Sequence, residues 1–290
     1  MTSGLDRPAR WAAGTTFVPT GDGWLVHGPD EDFMVVQVPP QDRAAVAGLI
    51  SGELGVRAAL ERVPDAADLI AELATAPRDD TEDPGDPGDP GGVGGSAAAV
   101  APPRAAEVLL AGDGPLLNPL VRHLRRAGLP VRRGEPGQDV GPRVTALVAC
   151  AEYLPDTAWR ELDARCRDLR LAWHRGHSEG RRWYVGPFTP PTGGAGYGDV
   201  RLRRLAACPW PDELAAYWAF LEAGGRPATP ADPAGAEVAA ALVAADLRAW
   251  FDGAPVPGAG HQVGVDLAAG EIRRHPVLAV PRGLMRETPA

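Results

Sequence analysis

Trp183-Tyr-Val-Gly-Pro-Phe-Thr-Pro-Pro-Thr-Gly-Gly-Ala-Gly-Tyr-Gly-Asp-Val200 changes character more sharply than any other stretch of the chain. It opens as a strand (183–185), breaks at Gly186-Pro187, and runs through prolines and glycines. It then enters the arginine-rich helical segment Arg201-Leu-Arg-Arg-Leu-Ala-Ala-Cys208. A glycine-rich loop between a strand and a helix is where α/β folds place ligands, because helix N-terminal N–H groups point into the loop.

Upstream, Glu107-Val-Leu-Leu-Ala-Gly112 reads as a buried strand, and 116–127 as a helix with Leu117, Leu120, Val121 and Leu124 on one face. Strands follow at 129–132, 144–150 and 169–173, with a helix at 156–167. Strand–helix alternation predicts a mostly parallel sheet with helices on its faces. Downstream, 211–222 and 234–251 read as helices, and 264–280 as a terminal hairpin.

The N-terminal region has a different grammar. Thr16-Phe-Val18 ends at Pro19, Trp24-Leu-Val-His27 follows a Gly-Asp-Gly turn, and Phe33-Met-Val-Val-Gln-Val38 follows a second turn. Short β-branched and aromatic runs bounded by Gly, Pro and Asp signal a meander. Helical spacing then covers 41–51, 54–63 and 65–76. The expected fold is therefore an α+β, winged-helix-like unit of three strands and three helices (1–77), an acidic Pro/Gly linker (78–104), and an α/β domain (105–290). The linker repeats Pro-Gly-Asp and cannot bury a core.

Composition narrows the function. The 290 residues carry a net charge of −9. No apolar run approaches the roughly 20 residues of a membrane span, and residues 1–8 lack a secretory signal, so a cytoplasmic protein is expected. All 29 basic residues are arginine, which excludes a phosphate loop ending in Gly-Lys-Ser/Thr. Cys150, Cys166 and Cys208 form no CxxC pair and read as inert thiols.

Several groups are candidates for chemistry. Gly112-Asp-Gly-Pro-Leu-Leu117 follows a strand and precedes a helix, yet Leu117 stands where a dinucleotide fingerprint has its third glycine. It reads as a turn without a nucleotide. His174 and His177 bracket Gly176 near a strand end, without a third metal ligand at a recognisable spacing. His261 and His275 lie in the C-terminal segment, and His275, before Pro276, reads as a structural residue at a turn. Arg181, Arg182, Arg201, Arg203 and Arg204 could clamp an anion or pair with acids elsewhere in the chain, but most read as a solvated face. The last candidate is a strand edge. If Phe33, Met34, Val35, Val36, Gln37 and Val38 form an edge strand, their unpaired backbone groups would accept a second chain as an added strand. The helix beginning at Asp65, with Leu69, Ile70 and Leu73, would wall the groove; alternatively these residues are simply core.

The order of these pieces, the Val185-Gly-Pro-Phe188 strand end and the terminal His275-Pro-Val-Leu-Ala-Val-Pro-Arg282 resemble the ThiF-like partner proteins of azoline-forming cyclodehydratases in ribosomal-peptide pathways, thiopeptides included. The resemblance spans almost the whole chain. It implies a leader-peptide clamp at 33–38 and 65–76, and a docking domain related to ThiF and ubiquitin-activating enzymes. It also implies a precursor peptide and a YcaO-type enzyme as partners, the latter binding ATP and cyclising Cys, Ser or Thr. Many relatives carry zinc-binding CxxC pairs. Here residues 195–201 have no cysteine and the 112–117 loop is degraded, so neither zinc nor ATP is expected on this chain, nor is nucleic acid, while a homodimer is left open. Two other readings stand beside it: an active adenylating enzyme, and a winged-helix transcription regulator. The second is opposed by Asp65, Asp68 and Glu72 on a helix with no basic residue.

Overall fold

The computed structural model describes residues 8–73, 106–135 and 140–281, with the side chains of Leu69, Glu72 and Leu73 outside the description. The linker and the ends of the chain therefore lie outside it, as do residues 74–76 of the expected third helix.

The N-terminal unit is an antiparallel meander, β1 (Thr16–Thr20), β2 (Gly23–His27) and β3 (Phe33–Gln37), in the order β1-β2-β3. Three helices follow: α1 (Arg43–Ser51), α2 (Val56–Arg62) and α3 (Ala66–Leu73). β1 runs on through Pro19, which pairs with Trp24, instead of ending there. An edge strand tolerates proline, because the missing N–H can fall on the unpaired side.

Alternation gives the meander two buried faces. Phe17 and Val26 face the helices, joining Trp11, Val46, Leu49 and Ala59 in one core. Val18 and Leu25 face the other way, into a core that belongs to the α/β domain.

That domain has one seven-stranded sheet, made of β4 (Glu107–Gly112), β5 (Val131–Arg133), β6 (Val144–Tyr153), β7 (Ala172–Glu179), β8 (Arg182–Val185), β9 (His261–Asp266) and β10 (Glu271–Pro276). The order is β10-β9-β8-β7-β6-β4-β5. The four strands from β5 to β7 are parallel, and β8, β9 and β10 add in antiparallel fashion. Helices α4 (Leu117–Arg126) and α8 (Pro233–Phe251) cover one face, where Leu120, Leu124, Val243 and Leu247 meet Val108, Leu110, Val148 and Val263. On the other face lie α5 (Asp156–Asp168), α6 (Tyr197–Ala207) and α7 (Pro211–Glu222). Trp159, Leu162, Leu214 and Trp218 pack there against Leu109, Leu147 and Trp173.

β7 is the largest departure from expectation. It starts later than the 169–173 run and continues to Glu179, so His174 and His177 lie in mid-strand and are buried, not at a strand end. A polar run such as His-Arg-Gly-His-Ser-Glu reads as strand end only until its distant partners are known. His174 Nε2 sits 3.0 Å from Asp246, and the Ser178 hydroxyl donates to the Glu152 carbonyl at 2.6 Å.

The two units share a core instead of hanging on a tether. His27, at the end of β2, stacks flat on Tyr217 of α7, with ring centroids 3.9 Å apart. The Gly14 N–H donates to Thr229 O at 2.6 Å, and the Arg181 N–H to Pro29 O at 3.0 Å. Burial pushes His27 down from 6.5 to about 4, with Glu179 opposing and Arg204 reinforcing the shift. The ring is thus a neutral, flat filler at neutral pH.

A pH dependence follows. The unfolded chain binds a proton at His27 near 6.5, and the folded chain only near 4. Stability therefore falls as pH drops through that window, by up to about 3 kcal/mol from this group, and the loss is complete below it. His27→Phe is expected to flatten the difference between urea unfolding at pH 7 and at pH 5. An unchanged difference would show that the ring does not carry it.

Candidate functional site

β3 is the outer strand of the meander, and among the described residues no strand or backbone hydrogen bond reaches its outer edge. Which of its groups face outward is set by the ladder. Val38 N–H donates to Asp22 O and Gly28 N–H donates to Asp32 O, both at 2.9 Å. With the register Val26↔Met34 and Trp24↔Val36, antiparallel alternation gives the inward hydrogen bonds to Met34, Val36 and Val38. The N–H and C=O groups of Phe33, Val35 and Gln37 are turned away from β2.

The side chains divide in the same way. Met34 and Val36 are half-buried against the helical core, as is Ile70 of α3. Phe33 leans the other way, edge-on to His27 and near Tyr217. Val35 is 61% exposed and Gln37 is exposed. Val38 is buried, and its carbonyl accepts from Arg43 Nε at 3.1 Å. Asp65 is exposed and precedes the first residue of α3, while Leu69 and Leu73 stand on α3 with side chains outside the described residues. The structure thus brings Met34, Val36 and Ile70 onto one core and leaves Val35 and Gln37 on the open edge.

The glycine-rich loop after β8 is closed. Residues 186–189 are buried, with Phe188 N–H bound to Gly258 O and Thr189 exchanging hydrogen bonds with Trp173. The N-terminus of α6, where an anion would sit, already holds a carboxylate of the protein. Asp163 of α5 accepts the Tyr197 N–H at 3.0 Å and the Gly198 N–H at 3.2 Å. Asp199 accepts the Gly196 N–H and the Val280 N–H, each at 2.7 Å. A Cβ on Gly196 would lie 2.3 Å from Asp163, so this glycine serves the carboxylate's approach. Arg175 lies behind this cap, its guanidinium 5.1 Å from the Tyr197 ring centroid. Its terminal nitrogens have no hydrogen-bond partner among the described residues, and burial lowers it to about 10.

The sheet's topological switch point, between β4 and β6, opens into a cleft of about 360 Å³ at their C-terminal ends. Its glycines are taken by packing. Gly112 has φ 91°, and a Cβ there would lie 1.9 Å from Cys150 O; on Gly114 it would lie 2.9 Å from Glu152 N. Asp113, Glu135, Glu152 and Glu222 line the cleft against one guanidinium, Arg226. A polyphosphate would meet four carboxylates, so these residues do not fit ATP. Among the described residues no group of three or more His, Cys, Asp or Glu side chains is placed to hold a metal ion. Cys150 and Cys166 lie in different cores, and burial pushes both thiols up.

The arginines correct the solvated reading. Arg201 Nε holds both Asp156 oxygens, at 2.8 and 2.9 Å. Arg181 and Arg182 both reach Asp30 and Asp266. Arg204 spans Glu31 of the meander, at 2.9 Å, and Glu179 of β7. Arg203 donates to Leu278 O at 2.9 Å. Charge alone marks such residues in a sequence. Their partners come from segments far away, so a sequence allows pairing as an alternative but does not name the acids.

No protein-family model matches the chain, and no curated protein matches it. Distant likenesses exist among solved structures. The heterocyclase TruD aligns at 13% identity and a TM-score of 0.46, over 95% of this chain and 42% of that one. A chain of the E. coli microcin synthetase McbBCD complex aligns at 12% and 0.47, over 92% and 97%. E. coli MccB aligns at 12% and 0.45, over 94% of each chain. This chain therefore spans less than half of the heterocyclase. Likenesses this distant carry no argument about activity. No helix among the described residues is long and apolar enough to cross a membrane.

The closed loop makes a stability prediction. Asp163→Ala removes the acceptor for two backbone N–H groups and the partner of Arg167. It is expected to lower unfolding free energy by about 2–4 kcal/mol in a urea titration. A change within error would mean that the helix N-terminus does not depend on this carboxylate.

Proposed function

We propose that this chain is a non-catalytic, leader-peptide-binding partner protein. It captures a ribosomal precursor peptide by strand addition to β3, through a winged-helix-like clamp. Its ThiF-like domain presents the peptide to a YcaO-type, ATP-dependent cyclodehydratase that forms thiazoline or oxazoline rings from Cys, Ser or Thr. The observation that carries the reading is the outer edge of β3, where the backbone groups of Phe33, Val35 and Gln37 face outward beside the half-buried Met34, Val36 and Ile70. An added strand would complete that ladder and cover apolar surface on the helical side. The resemblance of the residue order, of Val185-Gly-Pro-Phe188 and of His275–Arg282 supports the same reading. The acid-lined cleft at 112–114 and 152–153 counts against the adenylating alternative, and Asp65 and Asp68 at the start of α3 count against DNA contact.

Proline gives a clean test. Val35 N–H points outward, so Val35→Pro deletes a donor to the added strand and spares the hydrogen bonds to β2. Peptides selected from a random 20-residue display library on the full chain serve as probes. Val35→Pro is expected to weaken their binding about 10- to 100-fold, from one lost hydrogen bond and one unpaired carbonyl, with thermal stability close to wild type. Equal binding to both proteins, or no recovered peptide, would contradict the edge assignment.

A further inference from the structure

The β2–β3 turn, which leads directly into the proposed binding edge, is gripped by the α/β domain. Glu31 in that turn has φ 68°, a backbone conformation unfavourable to a residue with a side chain. Its carboxylate accepts the Tyr184 hydroxyl and, at 2.9 Å, Arg204 Nη2. The other arm of Arg204 meets Glu179, which also accepts the Trp218 indole N–H at 3.2 Å. The guanidinium lies between two rings, 5.8 Å from Tyr184 and 5.6 Å from Trp218. Asp30, next in the turn, takes Arg181 and Arg182 at 3.1 Å each. The backbones touch as well, since a Cβ on Gly180 would lie 2.6 Å from Pro29 O.

The geometry points to Arg204 as a positioning residue for captured peptide. With Glu31 and Glu179 it fixes the turn, and so the Phe33 end of the edge, in one orientation on the α/β domain. This rests on the reading of β3 as the binding edge, and it adds direction to that reading. A tethered clamp would only raise the local concentration of the peptide. A clamp held in this way releases the rest of the bound chain along one line, from a fixed point beside Tyr184.

Removing Arg204 would strand two buried carboxylates and endanger folding. Glu31→Gly is the better variant, because it leaves Arg204 paired with Glu179 and relaxes the positive φ. Spin labels are placed on cysteines introduced at the exposed positions Ser51 and Ala241, in a Cys208→Ser background. Electron–electron distance distributions are recorded with and without a library-selected peptide. The wild type is expected to give one narrow distribution in both states, and Glu31→Gly a broadened one in a protein that still unfolds cooperatively. Glu31→Gln, which still accepts the Tyr184 hydroxyl, is expected to fall between. A distribution in Glu31→Gly as narrow as wild type overturns the positioning role, whether or not peptide binds. Failure of the wild type to bind any selected peptide, with the broadening present, overturns the edge reading and keeps the clasp.

Discussion

The Arg204 guanidinium, largely withdrawn from solvent between the two units, meets two carboxylates that are far apart in the chain, Glu31 and Glu179. Burial alone would lower its proton affinity; Glu179 and Glu31 outweigh burial and raise it. The same pairing, with His177, holds Glu179 well below the usual carboxylate range against its own desolvation. Glu31 goes the other way. Burial beside Glu179 raises it, despite Arg204. Breaking such a cluster by removing one member leaves an uncompensated buried charge, a larger loss than the intact pair's net contribution. The meander and the α/β sheet are thereby obliged to sit in one arrangement, and the stacking of His27 on Tyr217 fills the apolar space beside it.

From that constraint the functional map follows. In the α/β domain the α6 N-terminus is filled by the protein's own carboxylate, and the open switch-point cleft is acidic. Asp163 caps α6, Gly112 and Gly114 serve strand packing, and the switch-point cleft is lined with acids. Open hydrogen-bonding capacity on the meander lies at the outer edge of β3. Met34 and Val36 pack on the helices and Phe33 on the α7 core, while Val35 and Gln37 stay exposed beside the open edge.

Periodicity revealed much of this fold. The apolar run at 107–112 matches β4 residue for residue, 211–222 matches α7, and the three short runs near the N-terminus form the meander. Proline and polar residues misled where tertiary context decides. Pro19 lies within β1 because the strand is an edge. The polar residues of β7 are buried because Asp246, Glu152 and Arg204 come from elsewhere. Residues 33–38 were visible as a candidate edge, since an apolar strand beside turns is a local signal. The closing of the 183–200 loop was not, because its decisive group is a carboxylate on another helix.

If a second chain adds at the outer edge of β3, amide hydrogen exchange resolved by residue reads it out. With a bound peptide, the amides of Val35 and Gln37 should slow strongly, and those of Met34 and Val36, already bonded to β2, should change little. Protection at residues 112–114 and 152–153, with Val35 and Gln37 unchanged, would place the binding site in the α/β cleft and contradict the account.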